Sequence, residues 1–396
     1  MQAGHMRMRK MSKMKDKKRE TNLELLRILA MLMVISLHYL DKGNALVEIE
    51  DLYVSSPNII NKMLAWVLEV LSYGAVNIYI MISGYFLINS SAKMEKPFKI
   101  VVQVLFYSAG IFFIFMALGK LPNYATETFF KGIFFTPIAS AHYWFASSYV
   151  FFYLLAPFVA IGIRHLNEKQ HRGLMIIVLL LFSRLWKILL PQSAPIDDKG
   201  YGLLWFITLF VVASYIRRFV PVVKKLRFLY FGIYLLASLS TLASFFVVNM
   251  IYHATGRFEV FIKVLLEYNS PTIVVASVCL FLFFRTISIP DGFLSKAILF
   301  ISPLTFGIYL IHEHYLLRDL WVSFWKVDEF AKKPNFILHY IGVVLAVFII
   351  CGLIEWIRKT LFDLLYRSVP GKWFFRLLGK LDVIFPKKDE SFEGAE

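Results

Sequence analysis

Residues 21–40 read TNLELLRILAMLMVISLHYL, from Thr21 to Leu40, and they place Arg27 and His38 inside an otherwise apolar segment. A helix needs about 20 mainly apolar residues to cross a bilayer, so this segment predicts a membrane span. Ionisable groups within a span are costly and usually have a function. At about 3.6 residues per turn and 1.5 Å rise per residue, the two side chains share one helical face about 16 Å apart. One elongated ligand could therefore contact both.

The composition excludes an ordinary soluble protein. Of 396 residues, 58% are hydrophobic and 18% are charged, and the mean hydropathy is +0.64. These values predict an all-α, polytopic membrane helix bundle in a lipid bilayer. The net charge of +16 lies in short clusters between apolar runs, which indicates membrane orientation rather than a nucleic-acid partner. Cys279 and Cys351 lie in apolar runs, so we expect neither a disulfide nor a catalytic thiol.

Nine further apolar segments follow the first. They lie at residues 64–88, 98–119, 141–163, 174–190, 201–219, 228–250, 268–287, 294–316 and 336–357. Cytoplasmic loops are enriched in Lys and Arg, and the side of the N-terminal leader carries 29 of them against 11 on the opposite side. The sequence therefore predicts about ten transmembrane helices with both termini cytoplasmic. A disordered basic leader occupies 1–20, the membrane domain 21–357, and a short basic tail 358–396.

The predicted orientation brings several polar side chains to the outer side of the membrane. His38 ends the first span, His142 and Trp144 begin the fourth, and His312 ends the ninth. Arg184 lies in the outer half of the fifth span. Imidazole titrates near neutral pH and suits proton transfer, while a buried Arg can stabilise a developing oxyanion. These residues could form an acyl-transfer site, and the lack of clustered ligand spacing argues against a metal site.

Each polar side chain also has a purely structural interpretation. A histidine at a helix end is more often a hydrogen-bonded or interfacial residue than a catalyst. Arg27 could reach the cytoplasmic headgroups and pair with Glu24 three positions earlier. Arg184 is harder to explain in this way, although Lys187 on the same face could reach outward. Asn77 in the second span could simply bond neighbouring helices.

Four motifs come in an order that resembles the membrane acyltransferases of the acyltransferase-3 family. They are the Arg27 and His38 pair in ELLRILAMLMVISLHYL, NIYIMISGYFLI (Asn77 to Ile88), HYWF (His142 to Phe145) with the following SYVFFYLLAPF, and SPLTFGIYLIHEH (Ser302 to His314). Together they cover nearly all ten segments. The R-x10-H pair and the GIYLIH segment are the more specific motifs. The likeness is closest to members that O-acylate bacterial surface polysaccharides or exopolysaccharides.

The resemblance implies transfer of an acyl group, usually acetyl, from cytoplasmic acyl-CoA to a hydroxyl of an extracytoplasmic or lipid-linked glycan. It implies a bacterial cytoplasmic membrane and a possible link to polysaccharide synthesis machinery. His38 matches the family's essential histidine and Arg27 its paired basic residue, while His312 and Trp144 match positions in shorter motifs. No RxxR pair lies in a cytoplasmic loop. By charge alone, the candidate contacts for the CoA phosphates are Arg27, Arg164, Arg217, Arg218 and Arg285.

In the resulting hypothesis, His38 is the general base for the acceptor hydroxyl and Arg184 stabilises the tetrahedral oxyanion. Direct transfer is favoured because no Ser or Cys is visibly paired with a base. A secondary transporter or flippase is one alternative, but the sequence shows no inverted repeat and no paired Gly/Pro-broken helices. A non-catalytic subunit of a polysaccharide synthesis complex is another, and it gives no reason for Arg27 and His38 to share a face.

Overall fold

The computed structural model describes residues 20–46, 59–123, 126–127, 143–189 and 198–386, and helices are the only regular secondary structure in these ranges. The α-helices are α1 (Thr21–Lys42), α2 (Ile59–Ser72), α3 (Ala75–Leu87), α4 (Glu95–Ala117), α5 (Trp144–His165), α6 (Glu168–Phe182), α7 (Leu185–Leu189), α8 (Leu203–Phe219), α9 (Arg227–Thr255), α10 (Pro271–Arg285), α11 (Phe293–Ile301), α12 (Thr305–His312), α13 (Arg318–Phe324), α14 (Val327–Phe330), α15 (Phe336–Arg367) and α16 (Val369–Leu378). Short 3-10 helices occupy Lys224–Leu226, Glu259–Phe261, Ser302–Leu304 and Gly379–Ile384.

Seven helices within these ranges are long and apolar enough to cross a membrane. They are Thr21–Lys42, Ile59–Leu87, Glu95–Ala117, Trp144–His165, Lys224–Thr255, Phe293–His312 and Phe336–Arg367. A shorter apolar helix is Pro271–Arg285. The predicted polytopic helical membrane protein is therefore confirmed. All ten predicted segments overlap helices, while the number of ten crossings and the cytoplasmic side of both termini stay predictions.

Helix α1 lies in the centre of the bundle. It contacts α2, α3, α10, α11, α12, α13 and α15. Leu23, Leu26 and Ala30 on it are fully buried, as are Ile35 and Tyr39 near its C-terminal end. The apolar surface of α1 therefore faces other helices rather than lipid over most of its length. The few polar side chains of α1 therefore meet other helices.

Two predicted segments are interrupted in the structure. Segment 64–88 divides at Gly74, where an added Cβ would lie 2.9 Å from the hydroxyl of Ser277 on α10. Segment 294–316 changes to a 3-10 helix at Ser302–Leu304, because Pro303 has no N–H for a helical hydrogen bond. The short helix α12 thus begins anew at Thr305 and ends on His312.

The last long helix extends beyond its predicted end. Segment 336–357 continues to Arg367, so the predicted boundary between membrane domain and tail falls inside α15. The charges in this extension are paired along the helix. Arg358 bonds Glu355 at 2.7 Å and Lys359 bonds Asp363 at 2.6 Å. Pairing at these spacings supports a helix that composition alone would end earlier.

Candidate active site

The centre of the site is a pair of imidazoles from α1 and α12. Nδ1 of His38 lies 3.0 Å from Nε2 of His312 in a hydrogen bond. The ring centroids are 5.1 Å apart. His312 is buried, whereas the His38 side chain is 21% exposed. The predicted gathering of imidazoles at one end of the bundle is thus found for these two residues.

The hydrogen bonds around the pair assign its protons. Nδ1 of His312 lies 2.6 Å from the carbonyl oxygen of Ile308, which can only accept. A neutral His312 therefore carries its proton on Nδ1 and accepts at Nε2. His38 must then donate from Nδ1, which leaves its Nε2 with a free lone pair. This tautomer, inferred from the partners, makes Nε2 of His38 the basic atom of the pair.

A carboxylate lies beside the same imidazole. Oε2 of Glu313, the residue after α12, is 3.2 Å from Nδ1 of His38. Its other oxygen, Oε1, is 3.6 Å from Nη1 of Arg318. Burial raises the pKa of the Glu313 carboxyl, and the Arg318 charge opposes that shift. When ionised, Glu313 stabilises a positive charge on His38. Glu313 is the middle residue of the HEH run that ends the motif SPLTFGIYLIHEH, and a carboxylate between two histidines was the sequence signal for its role.

A small cavity of about 50 Å³ adjoins His38. Its lining is mainly apolar and aromatic and comes from α1, α3, α5 and α12 and from the segment before α10. The lining residues are Met31, Val34, Leu37, His38, Val76, Tyr79, Trp144, Phe145, Tyr268, Phe306 and Tyr309. The cavity therefore offers the basic imidazole a dry space with room for a few non-hydrogen atoms.

Trp144 reaches this cavity from the first turn of α5. Its ring stacks on Tyr268 at 6.0 Å between centroids and lies 4.4 Å from Tyr201. Tyr201 and Tyr268 are themselves 5.0 Å apart. The predicted supporting residue is thus part of a cluster of three aromatic rings next to His38. His142 lies outside the described residues, as does the side chain of Lys187.

Arg27 does not touch His38. Its Nε lies 3.4 Å from Oε2 of Glu24, the pairing expected from their spacing. The hydroxyl of Tyr79, which lines the cavity, donates to the Arg27 carbonyl oxygen at 3.1 Å. Arg27 is therefore linked to the cavity by Tyr79 and lies towards the other end of the same helix.

Arg184 is placed away from the imidazole pair. Its backbone N–H donates to the Asn269 carbonyl at 3.0 Å. Its Nη1 is 3.4 Å from Oε1 of Glu267. Arg184 is absent from the described residues that line the cavity at His38. Arg184 was predicted inside a continuous fifth span, whereas it lies in the turn between α6 and α7, which directs its side chain to Glu267.

The structure separates the arginines that were candidates for CoA contacts by charge into those that bond backbone carbonyls and those that lie over a tyrosine ring. Arg218 donates to the carbonyls of Ile163, Arg164 and Leu166 at 2.6 to 3.1 Å, so it caps the C-terminus of α5. Arg217 and Arg285 instead lie over the ring of Tyr85, with Cζ 4.7 and 5.3 Å from its centroid. Arg164 donates to the Ile88 carbonyl at 3.1 Å.

Asn77 bonds neighbouring helices, which is the structural role considered for it in the sequence. Its amide donates to the Tyr268 carbonyl at 2.8 Å, and its oxygen accepts from the indole of Trp205 at 3.0 Å. These bonds join α3 to α8 and to the segment before α10, which supplies Tyr268 to the cavity. Asn77 therefore supports the site from outside it.

The matches to known proteins come from one comparison. A family model described as an acyltransferase domain, of the acyltransferase-3 family, matches residues 20–356. Comparisons with curated proteins and with solved structures find no significant match. The matched region contains both members of the imidazole pair and most of the helical bundle. The chain therefore belongs to the acyltransferase-3 family and is a multi-pass membrane acyltransferase.

Proposed function

We propose that the protein transfers an acetyl group from cytoplasmic acyl-CoA to a hydroxyl of an extracytoplasmic or lipid-linked glycan, with His38 as the general base. The observation that carries this proposal is the ordered chain from the Ile308 carbonyl through His312 to His38. It leaves Nε2 of His38 ready to accept a proton. No metal ion is required in the mechanism.

The reaction follows from this geometry. Nε2 of His38 accepts the proton of the acceptor hydroxyl while the oxygen attacks the thioester carbonyl carbon. The tetrahedral intermediate then breaks its C–S bond, and the imidazolium of His38 returns the proton to the departing sulfur. Between these steps, His312 and Glu313 stabilise the positive charge from the Nδ1 side. The products are an O-acyl ester and CoA.

The oxyanion needs a hydrogen-bond donor in the cavity. Tyr309 lines it, and the buried hydroxyl of this residue has no acceptor for its proton among the described residues. Arg184, the donor expected from sequence, pairs with Glu267 instead. We therefore assign the oxyanion contact to Tyr309 in place of Arg184.

The cavity size supports a short acyl group. A cavity needs about 10–15 Å³ for one water-sized particle, so about 50 Å³ holds roughly three to five non-hydrogen atoms. An acetyl group has that size. Longer acyl chains would meet Met31 and Val34 on the wall of the cavity.

The donor and the acceptor approach from opposite ends of α1. Arg27, Arg217 and Arg285 are the arginines proposed to hold the CoA phosphates, and Arg218 positions α5 beside them. The aromatic cluster at Trp144 suits the apolar face of a sugar ring, with phenolic hydroxyls at its edge. The proposed setting is a bacterial cytoplasmic membrane, beside polysaccharide synthesis machinery.

The test compares surface glycans from cells that express the protein with those from cells that express His38→Ala or Arg27→Ala in equal amounts. Mass spectrometry should show glycans one acetyl mass heavier with the unchanged protein. His38→Ala should lose this mass, because removal of a general base costs about 10²–10⁴ in rate. His253→Ala changes an exposed histidine on α9 and is the matched control.

Two results would contradict the proposal. Unchanged acetylation in both the His38 and Arg27 variants would exclude their assigned roles. An identical glycan mass with and without the protein would exclude a glycan acceptor.

Tyr309→Phe, which keeps the ring, should lower the rate by about 10²–10³ if the hydroxyl contacts the oxyanion.

A further inference from the structure

Two arginines lie over one tyrosine ring at the inner end of the bundle. Arg217 comes from the last turn of α8 and Arg285 from the last residue of α10, while Tyr85 is near the end of α3. Their Cζ atoms lie 4.7 and 5.3 Å from the ring centroid of Tyr85. Three separate helices thus hold two positive charges close together.

Arg285 has hydrogen-bonding capacity that the protein does not use. The residue is only 9% exposed. Its Nη2 donates to the Val220 carbonyl at 3.1 Å, whereas Nε and Nη1 have no partner among the described residues. Buried donors are normally satisfied, and a guanidinium matches the paired oxygens of a phosphate or carboxylate. An anion that binds here would satisfy both N–H groups.

Arg217 already holds a carboxylate. Its Nη1 lies 2.8 Å from Oε1 of Glu20 and 2.9 Å from the Tyr85 hydroxyl. Glu20 is the residue before α1 and makes no side-chain bond to cap that helix. The side chains of Arg217 and Glu20 are 26% and 33% exposed. The pair is therefore partly exposed to solvent, which limits its strength and gives another anion access to the arginine.

We propose that Arg217 and Arg285 form a phosphate site around Tyr85, and that the Glu20 carboxylate occupies part of it until a phosphate of the acyl donor displaces it. Glu20 is then a built-in competitor that weakens donor binding. This inference rests on the proposed function for the identity of the ligand. A phosphate from a lipid headgroup has the same chemistry and is the source that the experiment must exclude.

The position of Glu20 on α1 supports a donor as the ligand. Glu20, Glu24, Arg27, Met31, Val34 and His38 follow one another at spacings of four and three residues. This spacing keeps them along one side of a helix. Met31, Val34 and His38 line the cavity at the other end. A phosphate at Arg217 and a thioester at His38 would therefore lie along the same side of α1.

The experiment measures CoA binding by calorimetry to the full chain in phosphatidylcholine nanodiscs, without any acceptor. Glu20→Gln keeps the size of the side chain and removes its charge. It should tighten CoA binding about two- to fivefold, the range expected for loss of an exposed ion pair. Arg217→Gln should weaken binding, and in that background Glu20→Gln should bring no gain. Glu168→Gln, an exposed glutamate on α6, is the matched control.

Unchanged or weaker CoA binding in Glu20→Gln would overturn the inference. A gain in CoA affinity from Glu20→Gln that persists in the Arg217→Gln background would also overturn the inference. A separate titration with short-chain phosphatidylglycerol tests the lipid source. If Glu20→Gln tightens lipid binding alone and leaves CoA binding unchanged, the site binds a lipid headgroup and the donor assignment is wrong. If CoA binding follows the expected pattern but no form of the protein transfers an acyl group, the phosphate site is supported and the proposed reaction is refuted.

Discussion

Replacing His312 tests whether it orients and supports His38. His312→Leu removes the acceptor that lies 3.0 Å from Nδ1 of His38. A hydrogen bond between neutral groups contributes about 0.5–1.5 kcal/mol, and one to a charged group about 1.5–3 kcal/mol. His38 is neutral before proton transfer and charged after it, so the bond gains about 1–2 kcal/mol in the transition state. At 1.36 kcal/mol per factor of ten, kcat should fall about 5- to 30-fold.

The assay follows release of the CoA thiol from acetyl-CoA in membranes that contain the acceptor, with kcat and KM measured separately. KM for acetyl-CoA should stay unchanged, because His312 makes no contact with the donor in the proposed mechanism. His312→Gln keeps an acceptor oxygen and should recover most of the rate. A loss as large as that of His38→Ala would show that His312 takes part in the chemistry itself. No loss in a correctly folded His312→Leu protein would refute the relay.

The remaining predictions concern the packing of α12 against α15 and the histidine beside Arg218. Glu355→Ala should destabilise the protein by about 3–5 kcal/mol, because it leaves the buried charge of Arg358 without its partner; heating in detergent followed by size-exclusion chromatography measures this. Gly307→Ala should also lower stability and activity, since its Cβ would overlap the Glu355 carboxylate, whereas Gly342→Ala meets nothing and is the control. Burial, aided by Arg218, lowers the pKa of His171, so the folded state binds fewer protons than the unfolded one. Stability should therefore fall as pH drops through about 6.5, and His171→Gln should reduce that fall in a melting series.

The sequence predicted which polar residues lie at the same end of the bundle better than it predicted their contacts. Hydrophobic length and the distribution of Lys and Arg placed His38 and His312 at one end of the bundle. Their hydrogen bond joins residues 274 positions apart, and it depends on how α12 turns after Pro303. No local sequence pattern predicts the direction that α12 takes after Pro303. Arg184 shows the same limit, because it lies in the turn between α6 and α7 rather than inside a helix, and its pairing with Glu267 could not be predicted from its position in the chain.

Charge alone also could not distinguish the roles of the arginines that were candidates for CoA contacts. Arg217 and Arg218 are adjacent in sequence and both are basic residues at the end of a span. On a helix, neighbours point about 100° apart. One guanidinium therefore meets the open carbonyls of α5, while the other meets Tyr85 and Glu20. Only the packing of α3, α5 and α8 distinguishes a helix cap from an anion contact.

The size of the cavity at His38 constrains how a donor can reach it. A volume of about 50 Å³ accommodates an acetyl group, but it leaves no room for the long arm that links the thioester to its phosphates. On this side of α1, Met31 at the cavity wall is 2% exposed and Glu24 is 5% exposed, so neighbouring helices cover both positions. The arm must therefore occupy space that side chains fill in this structure. Because a 3-10 turn at Ser302–Leu304 interrupts the span Phe293–His312, we expect the part of the cavity wall that carries Phe306 and Tyr309 to shift at that turn when the arm of the donor enters.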